Sequence, residues 1–263
     1  SVRSAARGTP NCYVRDAVDV FEVWEGQLVR LACEEDGFVV EAATLADAEA
    51  WWESIRPEPL VLPEPDVTYA DLVPLAEVPT DTVAARATAT QRFGAKGTNL
   101  ATLYQRIAPE LQLTGFLVPF HHYEAFVTTQ GWVVDLGDGP TQTSFAETLD
   151  AWLQDPVFLG DGGLRRARLD ALREAMRGET TVDPGLIEEL GPAIRATYDG
   201  AEDVMVRFRS SSNAEDALAF GGAGLYDSTS ACLADELDND DVGPSRCDPA
   251  QPDERTLTRA LRK

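Results

Sequence analysis

Val204-Met205-Val206-Arg207-Phe208-Arg209-Ser210-Ser211-Ser212-Asn213-Ala214-Glu215-Asp216 is the stretch from which the fold is read. Its first six residues alternate with period two, the mark of a strand with one buried face. Val204, Val206 and Phe208 share one side, while Met205, Arg207 and Arg209 share the other. Such a strand delivers two guanidinium groups to one side of its C-terminal end, and three hydroxyls follow at once. Arginine forks and serine hydroxyls both donate hydrogen bonds to phosphate oxygens. Glu215 and Asp216 then either anchor the arginines or lean toward Mg2+. A surface strand ending in a serine-rich turn accounts for the same residues without a ligand.

Downstream, Phe220-Gly221-Gly222-Ala223-Gly224-Leu225-Tyr226 forms a glycine-rich loop whose N–H groups can fold over phosphates as a nest; a plain hairpin is the simpler alternative. Upstream, Phe93-Gly94-Ala95-Lys96-Gly97-Thr98-Asn99-Leu100 sets two glycines around a lysine just before a helix expected over 99–107. Glycine lets the backbone approach a ligand, the helix start offers N–H groups, and Lys96 supplies a point charge. The Walker pattern is absent, so a turn with a solvated lysine reads equally well from this segment alone.

Taken together and in order, these segments resemble the nucleotide-binding domain shared by pyruvate phosphate dikinase, phosphoenolpyruvate synthase and the glucan water dikinases. That family carries G-x-K-x-x-N/S-L, then G-F-x-[VI] with Y-x-x-F, then V-R-S-S-x-x-x-E-D and a glycine loop. Here the matches are Gly94 to Leu100, Gly115-Phe116-Leu117-Val118 with Tyr123 and Phe126, Arg209 to Asp216, and Phe220 to Tyr226. The likeness covers about residues 91–230. Two departures stand out: Arg207 and Arg209 compete for the family arginine's place, with Arg209 preferred because it abuts the serines, and Pro119-Phe120 replaces a more polar pair.

The resemblance implies an ATP-grasp fold of α/β (α+β) class, with ATP and Mg2+ as cofactors. Lys96 and Arg209 would contact the ATP phosphates in the catalytic role. Ser210, Ser211, Glu215, Asp216, Gly221, Gly222 and Gly224 would complete the phosphate cradle, while Tyr123 and Phe126 would pack in the core. No metal ligand is assigned within the chain, since the second ATP-grasp subdomain, with its Mg2+ carboxylates, is expected beyond Lys263. The chain alone is accordingly expected to bind ATP weakly or not at all and to have no turnover. The implied partners are a phosphohistidine domain of the same protein and a phosphoryl acceptor of unknown identity. Ser1 to Asn11 is similar to the stretch after the phosphorylated histidine of the swivelling domain. The alternative is a degenerate, non-catalytic ATP-grasp scaffold or partner-binding domain.

The rest of the chain sets the bounds. A formal net charge of −23 disfavours nucleic acid and anionic membrane surfaces as partners, and no apolar run is long enough to span a bilayer. Residues 1–60 read as a small α/β unit, with strands at 27–31 and 38–41, an Asp36-Gly37 turn and a helix capped by Thr44 and Asp47. Residues 61–90 read as a proline-rich linker, and 91–263 as the ATP-grasp part with a helical insertion over 128–200. Four cysteines fit no metal pattern; unpaired thiols are the simpler state, and a Cys232–Cys247 bridge is the alternative. The first reading of location is cytoplasmic, with secreted or periplasmic settings left open. His121 and His122, being adjacent, point different ways and make a poor metal pair.

Overall fold

The computed structural model describes residues 9–56, 62–178, 180–214, 226–238, 240 and 242–262. It is an α+β arrangement in which every described sheet is a two-stranded antiparallel pair. The chain divides into two units, residues 1–62 with 214–226, and residues 63–213 with 227–263.

In the first unit a short helix, α1 (Ala17–Phe21), precedes a hairpin of β1 (Val29–Cys33) and β2 (Phe38–Ala42). The Glu34 N–H donates to the Gly37 carbonyl at 2.9 Å, closing the turn around Asp36-Gly37. Helix α2 (Leu45–Ser54) starts at a capping box: Thr44 Oγ1 accepts from the Asp47 N–H, and the Asp47 carboxylate accepts from the Thr44 N–H. No described residue between 9 and 56 is fully buried. A Cys12–Cys33 disulfide and contact between the Phe21 and Phe38 rings at 5.5 Å hold the unit where a core would otherwise do so. Unpaired thiols are thus corrected: Cys12 and Cys33 are bridged, and so are Cys232 and Cys247.

The second unit begins with an extended strap whose β3 (Val73–Pro74) pairs with β4 (Phe116–Leu117). Helix α3 (Val83–Tyr104) opens at Thr82, whose hydroxyl accepts from the Ala85 N–H. Residues 83–90, at the end of the expected linker, are therefore its first turns. Prolines keep the strap out of a long ladder, so it attaches to α3 by other means. The Asp66 N–H donates to the Gln91 carbonyl at 2.8 Å, the Asp66 carboxylate accepts from Arg92 Nε at 2.8 Å, and the Arg92 guanidinium lies 4.2 Å above the Tyr69 ring. Leu75 and Val78 close a core with Ala89, Phe93 and Ala101.

Next come α4 (Phe120–Thr129), a hairpin of β5 (Gly131–Asp135) and β6 (Pro140–Ser144), and three helices, α5 (Phe145–Leu153), α6 (Pro156–Gly160) and α7 (Gly162–Gly178). They enclose Val127, Phe145, Trp152, Phe158 and Leu172. The insertion over 128–200 thus contains a hairpin as well as helices; its turn is made by Asp135 Oδ1 accepting from the N–H groups of Gly137 and Gly139. Phe126 joins this core, stacked on Phe145 at 5.9 Å, but Tyr123 does not. Tyr123 is 59% exposed on the outer side of α4, which corrects its expected core position.

The last layer consists of α8 (Pro184–Thr197), the paired strands β7 (Met205–Arg209) and β8 (Ser228–Cys232), and the short helices α9 (Leu233–Leu237) and α10 (Leu257–Leu261). Leu190, Ile194, Val206, Leu233 and Leu257 form its core. The acidic segment between α9 and α10 is folded around Asp235, which is fully buried and accepts from the N–H groups of Arg246 and Arg255. No helix among the described residues is long and apolar enough to cross a membrane.

Candidate functional site

Helix α3 is interrupted at Gly94, which holds φ 79° and ψ 167°. That conformation is essentially closed to residues with a Cβ. The break creates a fresh helix start at Ala95, whose first N–H groups have no partner inside the helix. The chain leaving β7 supplies partners. Ser211 Oγ accepts from the Gly97 N–H at 2.9 Å and donates to the Phe93 carbonyl at 2.6 Å, while the Ser212 carbonyl accepts from the Ala95 N–H at 3.1 Å. A Cβ on Gly94 would stand 2.6 Å from Ser211 Oγ and 2.8 Å from the backbone of Ser211 and Ser212.

Two segments separated by more than a hundred residues are thus joined backbone to backbone. Lys96 lies in the first turn after the break and is half-buried; Arg209, at the end of β7, is exposed and paired in register with Ser228. Their backbones flank the junction, because Lys96 neighbours Gly97 and Arg209 is two residues from Ser211. Strand β7 alternates as the sequence requires, with Val206 buried and Arg207 and Arg209 exposed. Ser210 is half-buried between Arg209 and the junction. While Ser211 donates to Phe93 it has no proton left for a ligand. Glu215, Asp216, Gly221, Gly222 and Gly224 lie outside the described residues.

A second cationic feature escaped the sequence reading. Arg207, on the same side of β7 as Arg209, lines a groove of about 270 Å3 together with Arg255, Arg259, Ser228 and Ser230. Arg255 precedes α10 and Arg259 sits within it, four residues on, and both side chains reach the same groove. No periodicity in the sequence announces this grouping, because Arg207 is on a strand and Arg255 and Arg259 lie about fifty residues further on.

The remaining candidates have structural employment. His121 Nδ1 and His122 Nε2 each bond a strap carbonyl, Val67 at 2.8 Å and Ala70 at 2.9 Å. A carbonyl only accepts, so both nitrogens carry protons. Carboxylate oxygens of Asp238, Asp240 and Glu254 lie within 4.8 Å of one another, and Asp238 is held by Arg246 Nε at 2.7 Å. Searches for similar proteins found no matching family model, no matching curated protein and no matching solved structure.

Proposed function

We propose that this chain is the phosphate-gripping part of an ATP-dependent phosphotransferase of the dikinase kind, built on an ATP-grasp domain. The supporting observation is the junction between the Gly94 break and Ser211-Ser212, which brings a lysine-bearing helix start beside an arginine-bearing strand end.

Transfer of a phosphoryl group needs positioning and neutralisation of charge more than covalent help. In this reading Lys96 provides a compact point charge to the terminal phosphate, and Arg209 a planar fork that grips two oxygens at once. Ser210 adds a hydroxyl donor. These groups suit a polyphosphate; Mg2+ bound with it would supply further neutralisation of charge. The phosphoryl group would pass to a histidine on a mobile domain and then to a second substrate.

One observation favours a second reading, a degenerate scaffold that binds a partner. Ser211 gives its proton to Phe93, as it would where the junction is purely structural. The two disulfides point the same way: they persist in oxidising compartments, where ATP is scarce. On that second reading the chain works outside the cytoplasm.

The two readings separate in a nitrogen-15 NMR titration with Mg·ATP. The phosphotransferase reading expects saturable, millimolar-range shifts on the amides of residues 95–99 and 209–212. Saturable shifts confined to other regions would leave only the scaffold.

A further inference from the structure

We infer that the groove lined by Arg207, Arg255 and Arg259 is a binding site for a phosphate group, separate from the Gly94–Ser211 junction. The chain carries 45 acidic side chains against 22 basic ones, so a groove with three guanidinium groups is not what average composition delivers. What those groups touch is more telling. Arg207 Nη1 donates to Ser230 Oγ at 2.8 Å, Arg255 Nη2 to Gln251 Oε1 at 2.6 Å, and Arg259 Nη1 to the Glu254 backbone carbonyl at 2.7 Å. All three partners are neutral oxygens. Among the described residues the ion pair made by any of them is Arg259 Nη2 with Asp253 Oδ2 at 3.8 Å, beyond hydrogen-bonding range and on a side chain 67% exposed.

These bonds orient the guanidinium groups without neutralising them; Arg259 also has the exposed carboxylate of Asp253 beside it. Each group has five donors, and one is engaged in each of these bonds. Three positive charges in one small groove repel one another, and a bound dianion removes that repulsion. A tetrahedral phosphate has enough acceptor oxygens for several forks at once, and arginine matches it in two-point contacts. The hydroxyls of Ser228 and Ser230, on the same side of β8 as each other, add donors at the groove wall. Asp248 also lines the groove but makes no ion pair with the arginines among the described residues. It offers acceptor oxygens, to which a phosphorylated small molecule bearing several hydroxyl groups can donate more than once, whereas dianionic inorganic phosphate has a single P–OH to give.

The test is titration calorimetry of the whole chain at low ionic strength with inorganic phosphate and, separately, with glycerol 1-phosphate. Saturable binding is expected. Tighter binding of the glycerol ester identifies a phosphorylated metabolite as the occupant; equal affinities identify phosphate itself. Arg207→Gln and Arg259→Gln should each weaken the interaction by about tenfold or more, the loss of one charge-assisted contact. Phosphate should also raise the thermal midpoint of the unaltered chain, a readout that survives if a variant fails to fold. No saturable heat with either ligand, or affinity unchanged in both folded variants, overturns the inference. A chain that binds phosphate but gives no Mg·ATP shifts at residues 95–99 keeps this site and loses the nucleotide reading; the reverse result does the opposite.

Discussion

Gly94 shows how a residue can be singled out for one reason and needed for another. From sequence, the glycines around Lys96 suggest a backbone that comes close to a ligand. In the structure the close neighbour is the chain itself, since Ser211 and Ser212 occupy the space a Cβ would need. Gly94→Ala would combine a left-handed backbone conformation with a clash against backbone atoms. It should cost about 3 kcal/mol in denaturant unfolding. A cost under about 1 kcal/mol would mean that the break relaxes readily and does not define the junction. The identity of Ser211 as the tie was not readable from composition: three serines in a row offer the same hydroxyl, and only the strand's exit direction selects among them.

At the scale of elements, strength of pattern decided what could be read. Strand β7 alternates branched or aromatic residues with arginines, and both its existence and its buried face followed. Strand β8 is Ser-Thr-Ser-Ala-Cys and β6 is Pro-Thr-Gln-Thr-Ser; neither has an apolar stripe to announce it, and each is a strand because a partner pairs with it. The strap lacked any periodicity, yet it is tied to α3 through Asp66. Its carboxyl is held below the ordinary value of 3.8, first by the Thr68 hydroxyl and then by Arg92. Because the folded value lies below the unfolded one, this contribution is present at higher pH and fades as pH falls through the folded value. Asp66→Asn should therefore lower the thermal midpoint near neutral pH, with the gap from wild type closing below about pH 4. A gap that stays constant across that range would show that the ionised carboxylate is not what holds the strap.

For the molecule as a whole, charge and cysteines mattered in unequal ways. The net charge of −23 turns attention away from extended anionic partners and conceals a local groove of arginines. Cysteine spacing admitted a Cys232–Cys247 bridge but gave no hint of Cys12–Cys33, whose partners meet only because β1 folds back beside the N-terminal segment. The Cys232–Cys247 link, 15 residues apart, restricts the unfolded chain by about 3 kcal/mol, so replacing both by Ala should lower stability by roughly that amount in chemical denaturation. An unchanged unfolding midpoint would show that the acidic segment is held by Asp235 alone. The central claim, that Lys96 and Arg209 grip one polyphosphate, is tested most directly by Mg·ATP affinity in Lys96→Ala, Arg209→Ala and the double variant. The account predicts that each single change weakens binding by about tenfold or more and that the double change costs less than the sum; folded variants that bind Mg·ATP as the native chain does would contradict it.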